Sequence, residues 1–103
     1  MPIANVESAL REGLSHHQSG RLQQAEQIYR EILVSDQNCA AAWHLLGALA
    51  HQVGRSEAGL RLIERAIELG MRTADVFNNL GECHRTMGKH QEAVTAYQSA
   101  LQL

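Results

Sequence analysis

Apolar residues along this chain recur at helical steps, and glycine interrupts them at regular intervals. Leu45, Leu46, Leu49 and Val53 follow one another by steps of one, three and four, Gly54 halts the run, and Leu60, Ile63 and Ile67 resume it. Steps of three and four bring apolar groups onto one face of a helix with about 3.6 residues per turn. The same break falls at Ser19-Gly20 and Met87-Gly88, where glycine can take the left-handed conformation that ends a helix at little steric cost. The pattern predicts an all-α chain of six helices, over about 3–17, 21–35, 40–53, 56–69, 74–87 and 90–102, paired into three hairpins. Ser56 and Asp36 read as caps or turn formers.

The hairpins are copies of one another. Gly20, Gly54 and Gly88 are spaced by 34, as are Gly13, Gly47 and Gly81. Ala25, Gly59 and Ala93 form a third series of the same period, and Tyr29, Ile63 and Tyr97 a fourth. His17-Gln18 and His51-Gln52 coincide in that register, as do Gly20-Arg21 and Gly54-Arg55, with Lys89 continuing the basic residue after Gly88. Glycine inside a helix costs up to about 1 kcal/mol against alanine, so Gly13, Gly47 and Gly81 require a packing reason. Close approach of the second helix supplies one: Ala25, Gly59 and Ala93 offer the flat complementary patch, and Tyr29, Ile63 and Tyr97 fill the space beside it.

These residues resemble the tetratricopeptide repeat, a family built on a 34-residue helical hairpin. The third unit fits best, as Phe77-x-x-Leu80-Gly81-x-x-His84, then Gly88, Ala93-x-x-x-Tyr97 and Ala100. The second reads Trp43-x-x-Leu46-Gly47-x-x-Ala50, then Gly54, Gly59-x-x-x-Ile63 and Ala66. The first diverges, with Ala9 at the tryptophan site and Glu12 at the leucine site, as suits an end repeat whose first helix is partly solvent facing. The family's terminal proline is absent, with Gln37 and Met71 at two of its places. The resemblance implies one domain over 1–103, with repeats at about 6–39, 40–73 and 74–103, stacked as a right-handed superhelical solenoid within a longer array or protein.

The resemblance also implies a concave groove, lined by the first helix of each repeat, that binds an extended peptide. Carried over by register, its positions are Glu7, Leu10, Arg11, Leu14, His17 and Gln18 in the first repeat. Ala41, His44, Leu45, Ala48, His51 and Gln52 follow in the second, and Asp75, Asn78, Asn79, Glu82, Arg85 and Thr86 in the third. Leu10, Leu14, Leu45 and Ala48 would form an apolar floor, with Asn78, Asn79 and Arg85 as polar contacts. Relatives that clamp the carboxylate of chaperone tails use several Lys, Arg and Asn residues there, whereas Arg11 and Arg85 here stand among Glu7, Asp75 and Glu82, which disfavours that ligand. Asn79 matches an asparagine that grips peptide backbone in O-linked N-acetylglucosamine transferases, but Arg11 and Leu45 hold the equivalent sites. The wording around Trp43 and His51 is similar to bacterial repeats that precede such enzymes, so a docking segment of a larger glycosyltransferase is the alternative to a free-standing interaction module.

Six histidines raise the question of a metal. His44 and His51 are two helical turns apart, about 10 Å, which ligands about 2 Å from zinc do not span, and no cofactor is expected. The reading is instead that His16 and His84 pack between helices while the others meet the groove, where histidine titration tunes ligand binding. No phosphate loop, nucleophile elbow or carboxylate pair stands out, so the chain reads as a non-enzyme.

Composition narrows the partners. Nine Lys and Arg against 11 Asp and Glu give a net charge of -2 without basic clusters, which points away from nucleic acid. No apolar run approaches the roughly 18 residues that a bilayer helix needs, and no secretory leader is visible, so a cytoplasmic protein with Cys39 and Cys83 as free thiols is expected. Tyr97, Leu101 and Leu103 mark an apolar edge on the last helix, open to a protein partner or to self-association.

Overall fold

A computed structural model describes residues 5–103. Six helices are present among them: α1 (Val6–Gln18), α2 (Leu22–Ser35), α3 (Ala40–Gln52), α4 (Ser56–Glu68), α5 (Ala74–Thr86) and α6 (His90–Leu101). Observed and expected boundaries agree to within about a residue, except at the start of α1, where expected positions 3 and 4 lie outside the described residues. Asn5 and Thr73 cap α1 and α5, accepting from the Ser8 and Val76 amides. The sequence reading overlooked both. Ser56 is no cap: it is the first residue of α4, is buried, and its hydroxyl meets His51.

Each hairpin turns on a glycine at positive φ, 81° at Gly20, 89° at Gly54 and 77° at Gly88. In all three the glycine amide and the next amide reach back to carbonyls of the last helical turn, as in Gly54 N to His51 O and Arg55 N to Ala50 O. The same device at Gly70 (φ 102°) ends α4 and opens the connection to α5. The α2–α3 connection has no glycine. There Asp36 is extended, its carboxylate accepts from Asn38 N, and Trp43 Nε1 donates to Gln37 O at 2.8 Å, pinning the loop to the next helix.

Within each hairpin the small residues stand where backbones meet. A Cβ on Gly47 would lie 2.9 Å from Gly59 O, and one on Gly59 would lie 2.7 Å from Gly47 O, so neither tolerates a side chain. Tyr29 and Ile63 are fully buried against these flat patches, while Tyr97 is half-buried.

The hairpins stack in a row about 42 Å long. Helices adjacent in sequence pack together, and α3 also touches α1 and α5. Among the described residues α2 and α4 do not meet, nor do α4 and α6. First helices therefore close up along one side while second helices splay apart on the other, which bends the stack around α1, α3 and α5. Two apolar clusters result. One joins α2 to α3 through Tyr29, Ile32, Leu33, Ala42, Leu46 and Leu49; the other joins α4 to α5 through Leu60, Ile63, Val76, Phe77 and Cys83. Trp43 packs against both, so the clusters form one continuous core. The fold is an all-α helical repeat solenoid.

Candidate functional site

The inner wall is the surface shared by α1, α3 and α5, and its polar residues tie the repeats together. His17 on α1 stands edge-on to Tyr29, with ring centroids 6.0 Å apart. Its Nε2 lies 2.8 Å from Gln52 Oε1 and its Nδ1 3.2 Å from the Tyr29 hydroxyl. One neutral tautomer satisfies both contacts: Nε2–H donates to the Gln52 carbonyl oxygen, and Nδ1 accepts from Tyr29. Burial pushes Tyr29 up to about 12, so its hydroxyl remains a donor. One repeat further on, Asn79 Nδ2 donates to His44 Nε2 at 2.8 Å. His17 to Gln52 and His44 to Asn79 have the same separation, one repeat plus one residue.

His44 is thus a structural link within the wall. Expected as a groove contact, it is only 6% exposed. Burial holds it below the ordinary histidine range, partly opposed by the Asp75 carboxylate. His51 is half-buried and bonded through Nδ1 to Ser56 Oγ at 2.9 Å. His84 packs against α6 with Nδ1 shut off from solvent and unpartnered among the described residues. His16, expected between helices, lies at the α1–α2 turn and accepts from Arg21 Nε at 2.8 Å.

Glu82 is the polar centre of the third repeat. Arg85 Nη2 donates to it at 2.9 Å, and the Tyr97 hydroxyl donates to its other oxygen. These bonds, Arg85 first and then Tyr97, hold the carboxyl below its usual range, and His51 adds a smaller push in the same direction. Arg85 and Tyr97 are raised in turn by their bonds to Glu82. On α1, Glu7 and Arg11 make an exposed ion pair of 3.3 Å.

The expected apolar floor divides. Leu10 and Leu45 are half-buried against the first core cluster, Ala48 is half-buried as well, and Leu14 is exposed on the wall. Gln18, Asp75, Asn78, Arg85 and Thr86 are exposed, and Ala41 is half-buried. Because α1 and α5 do not touch, Arg11 and Arg85 stand at opposite ends of the wall rather than acting together. No group of three or more His, Cys, Asp or Glu is poised to hold a metal among the described residues. Cys83 is buried, its thiol pushed up to about 11 by burial and by Glu82, and Cys39 is a half-buried free thiol.

Hollows lie elsewhere on the surface. One runs along α2 and α4 over α3, bounded by Leu33, Val34, Trp43, Leu46 and Leu62, with Arg30 and Arg65 at its rim. Sequence reasoning missed it, although Val34, an aliphatic residue off the apolar stripe of α2, was a readable signal.

Repeat geometry and family comparison agree. A sequence profile described as tetratricopeptide repeat matches residues 38–103. The chain belongs to the tetratricopeptide repeat family. Tetratricopeptide repeat protein 7A of Homo sapiens is 26% identical over 84 residues, which is 82% of this chain and 10% of that protein. The crystal structure of MamA superposes with a TM-score of 0.85 at 28% identity, covering 95% of this chain and 57% of the other. The chain therefore spans about a tenth and a little over half of these relatives. The second TPR of Spaghetti (RPAP3), bound to the HSP90 peptide SRMEEVD, gives a TM-score of 0.89 at 19% identity over 97% of this chain and 93% of the other. PcrH, in complex with the chaperone binding region of PopD, gives 0.83 at 22% over 91% and 71%. At that identity the last two likenesses bear on fold. Among the described residues no helix is long and apolar enough to cross a membrane.

Proposed function

We propose that this tetratricopeptide repeat protein is a binding module rather than a catalyst, and that it holds an extended peptide along the wall formed by α1, α3 and α5. The observation that carries this reading is the contact pattern: first helices touch in sequence while second helices do not, leaving a continuous inner surface about three helices wide. That surface is already knitted by His17–Gln52 and His44–Asn79, so a ligand meets a preorganised wall and little ordering cost falls on the protein. Peptide-bound relatives of the same fold, with the HSP90 peptide or the PopD region, support the class of ligand.

Charge narrows the choice. Glu7, Asp75 and Glu82 outnumber Arg11 and Arg85, and both arginines are already paired to the glutamates. An acidic tail like the printed SRMEEVD would meet repulsion here. A neutral or basic peptide suits the wall, its backbone reaching Asn78 and its apolar side chains resting on Leu14 and Ala48. The glycosyltransferase-docking alternative has no specific support, because Asn79 has no asparagine counterpart in the other two repeats, where Arg11 and Leu45 stand.

The test is selection of phage-displayed random peptides on the full chain. Selected peptides should lose affinity about tenfold on the Asn78→Ala, Arg85→Ala double variant and keep it on Val34→Ser in the outer crevice. No enrichment, or sensitivity to Val34→Ser alone, overturns the proposal.

A further inference from the structure

The crevice over α3 has both of its walls, α2 and α4, inside the chain. A repeat added at either end of the stack would pack on α1 or α6 and leave these walls where they are. The crevice is also longer than the hollow beside Trp43. Arg30, Leu46 and Leu62 line a second recess as well, which runs past Ala50 and Ala58 to Arg55. From Arg55 to Arg65 the α4 wall extends about 15 Å at 1.5 Å per residue, the reach of four or five extended residues. A groove of that length suits a peptide segment better than a compact small molecule.

Its floor and its charges have different origins. One repeat on, the registers of Trp43, Leu46 and Leu62 hold Phe77, Leu80 and Ala96, so an apolar floor comes with the stacking. The registers of Arg30, Val34 and Arg65 hold Glu64, Glu68 and Ser99 instead, and the hollow beside Phe77 is lined by both glutamates. Packing therefore demands neither arginines nor an aliphatic residue at these places, yet Val34 stands 82% exposed at the crevice edge. Among the described residues Glu26 is the one carboxylate lining the joined groove, and it takes Arg30 Nε at 2.9 Å. Glu68 meets Arg65 at 3.5 Å from outside the lining. The terminal nitrogens of Arg30 and the guanidinium of Arg55 have no partner among the described residues.

We propose that this outer crevice docks a short acidic segment of a protein partner, its apolar side chains seated on Trp43 and Leu62 beside Val34 and its carboxylates on Arg30, Arg55 and Arg65. The arginine forks match carboxylates, and the apolar floor supplies the burial that an exposed ion pair lacks. The charge preference is opposite to that of the peptide wall proposed above, so the two surfaces select different segments.

The probe is a phage-displayed random peptide library without tryptophan, selected on the Asn78→Ala, Arg85→Ala double variant of the full chain, in which the wall is impaired. Selected sequences should carry Asp or Glu on both sides of a leucine or aromatic residue. Trp43 is the only tryptophan of the chain, and synthetic copies of these peptides should shift its emission saturably. Val34→Ser, and Arg30→Gln with Arg65→Gln, should each weaken binding at least about tenfold. Val34 and Arg30 are exposed and Arg65 is half-exposed, and circular dichroism verifies that the helices persist in these variants. Selection on Arg30→Glu with Arg65→Glu should turn to basic peptides. No enrichment, no acidic excess, or affinity indifferent to both the Val34 and the arginine variants overturns the proposal. Sedimentation of the unaltered chain showing a dimer that Arg30→Glu with Arg65→Glu dissociates would assign the crevice to a second copy and likewise overturn it.

Discussion

Gly47 and Gly81 occupy the same place in the repeat but differ in what a methyl group would meet. At Gly47 the obstacle is Gly59 O at 2.9 Å and the fully buried Ile63, neither of which can retreat. At Gly81 it is the ring of Tyr97, a half-buried side chain beside an open edge. Alanine gains about 1 kcal/mol of helix propensity at either site. Gly47→Ala should still lose about 2 to 3 kcal/mol, and Gly81→Ala no more than about 1 kcal/mol, in urea denaturation. His44 allows a second test at this scale. Burial lowers its folded-state value, so below roughly pH 6.5 the unfolded chain takes up a proton that the folded chain refuses. Stability should fall as the pH drops from 7.5 to 5.5, and His44→Gln should flatten that dependence; an unchanged slope in the variant would remove His44 as its source. Glu82, depressed by Arg85 and Tyr97, adds a loss at lower pH as its carboxylate protonates. The close approach at Gly47 and Gly81 was legible in the 34-residue period, whereas the settings of His44 and Glu82 were not. A histidine at a groove register looks alike whether its ring faces solvent or an asparagine one repeat away.

Helices, by contrast, were legible almost to the residue, because each hairpin turn carries a glycine that only a left-handed conformation explains. The turns between repeats were less so. Gly70 does the work of a hairpin glycine at the end of α4, and Asp36 with Asn38 replaces it after α2, where a side-chain oxygen supplies the turn. A Cβ at Gly70 would meet nothing within 4 Å, so Gly70→Ala isolates backbone strain. A loss of about 1 to 2 kcal/mol is expected, with Gly70→Asn losing less, both read from thermal or urea unfolding. The caps Asn5 and Thr73 escaped notice because many polar residues flank these helices, and only the backbone path shows which oxygen reaches an amide.

At the scale of the molecule, stability should be graded along the stack. The α3–α4 hairpin has neighbours on both sides, and its Trp43 joins the two clusters, whereas Gly13 is the only buried residue on α1 and α6 has an open face. Native-state hydrogen exchange should show the slowest amides in α3 and α4 and earlier opening in α1 and α6; uniform protection would contradict nearest-neighbour stacking. A period of 34 with glycines in phase was enough to determine hairpins, their turns and their stacking, since each of these follows from local backbone geometry and from burial of one apolar stripe per helix. Which polar side chains face a ligand and which face the next repeat depended on distances between helices that no linear spacing encodes. That is why His44 and Asn79 bond to each other across the repeats and Leu45 packs against the core, where their register had implied contact with a ligand.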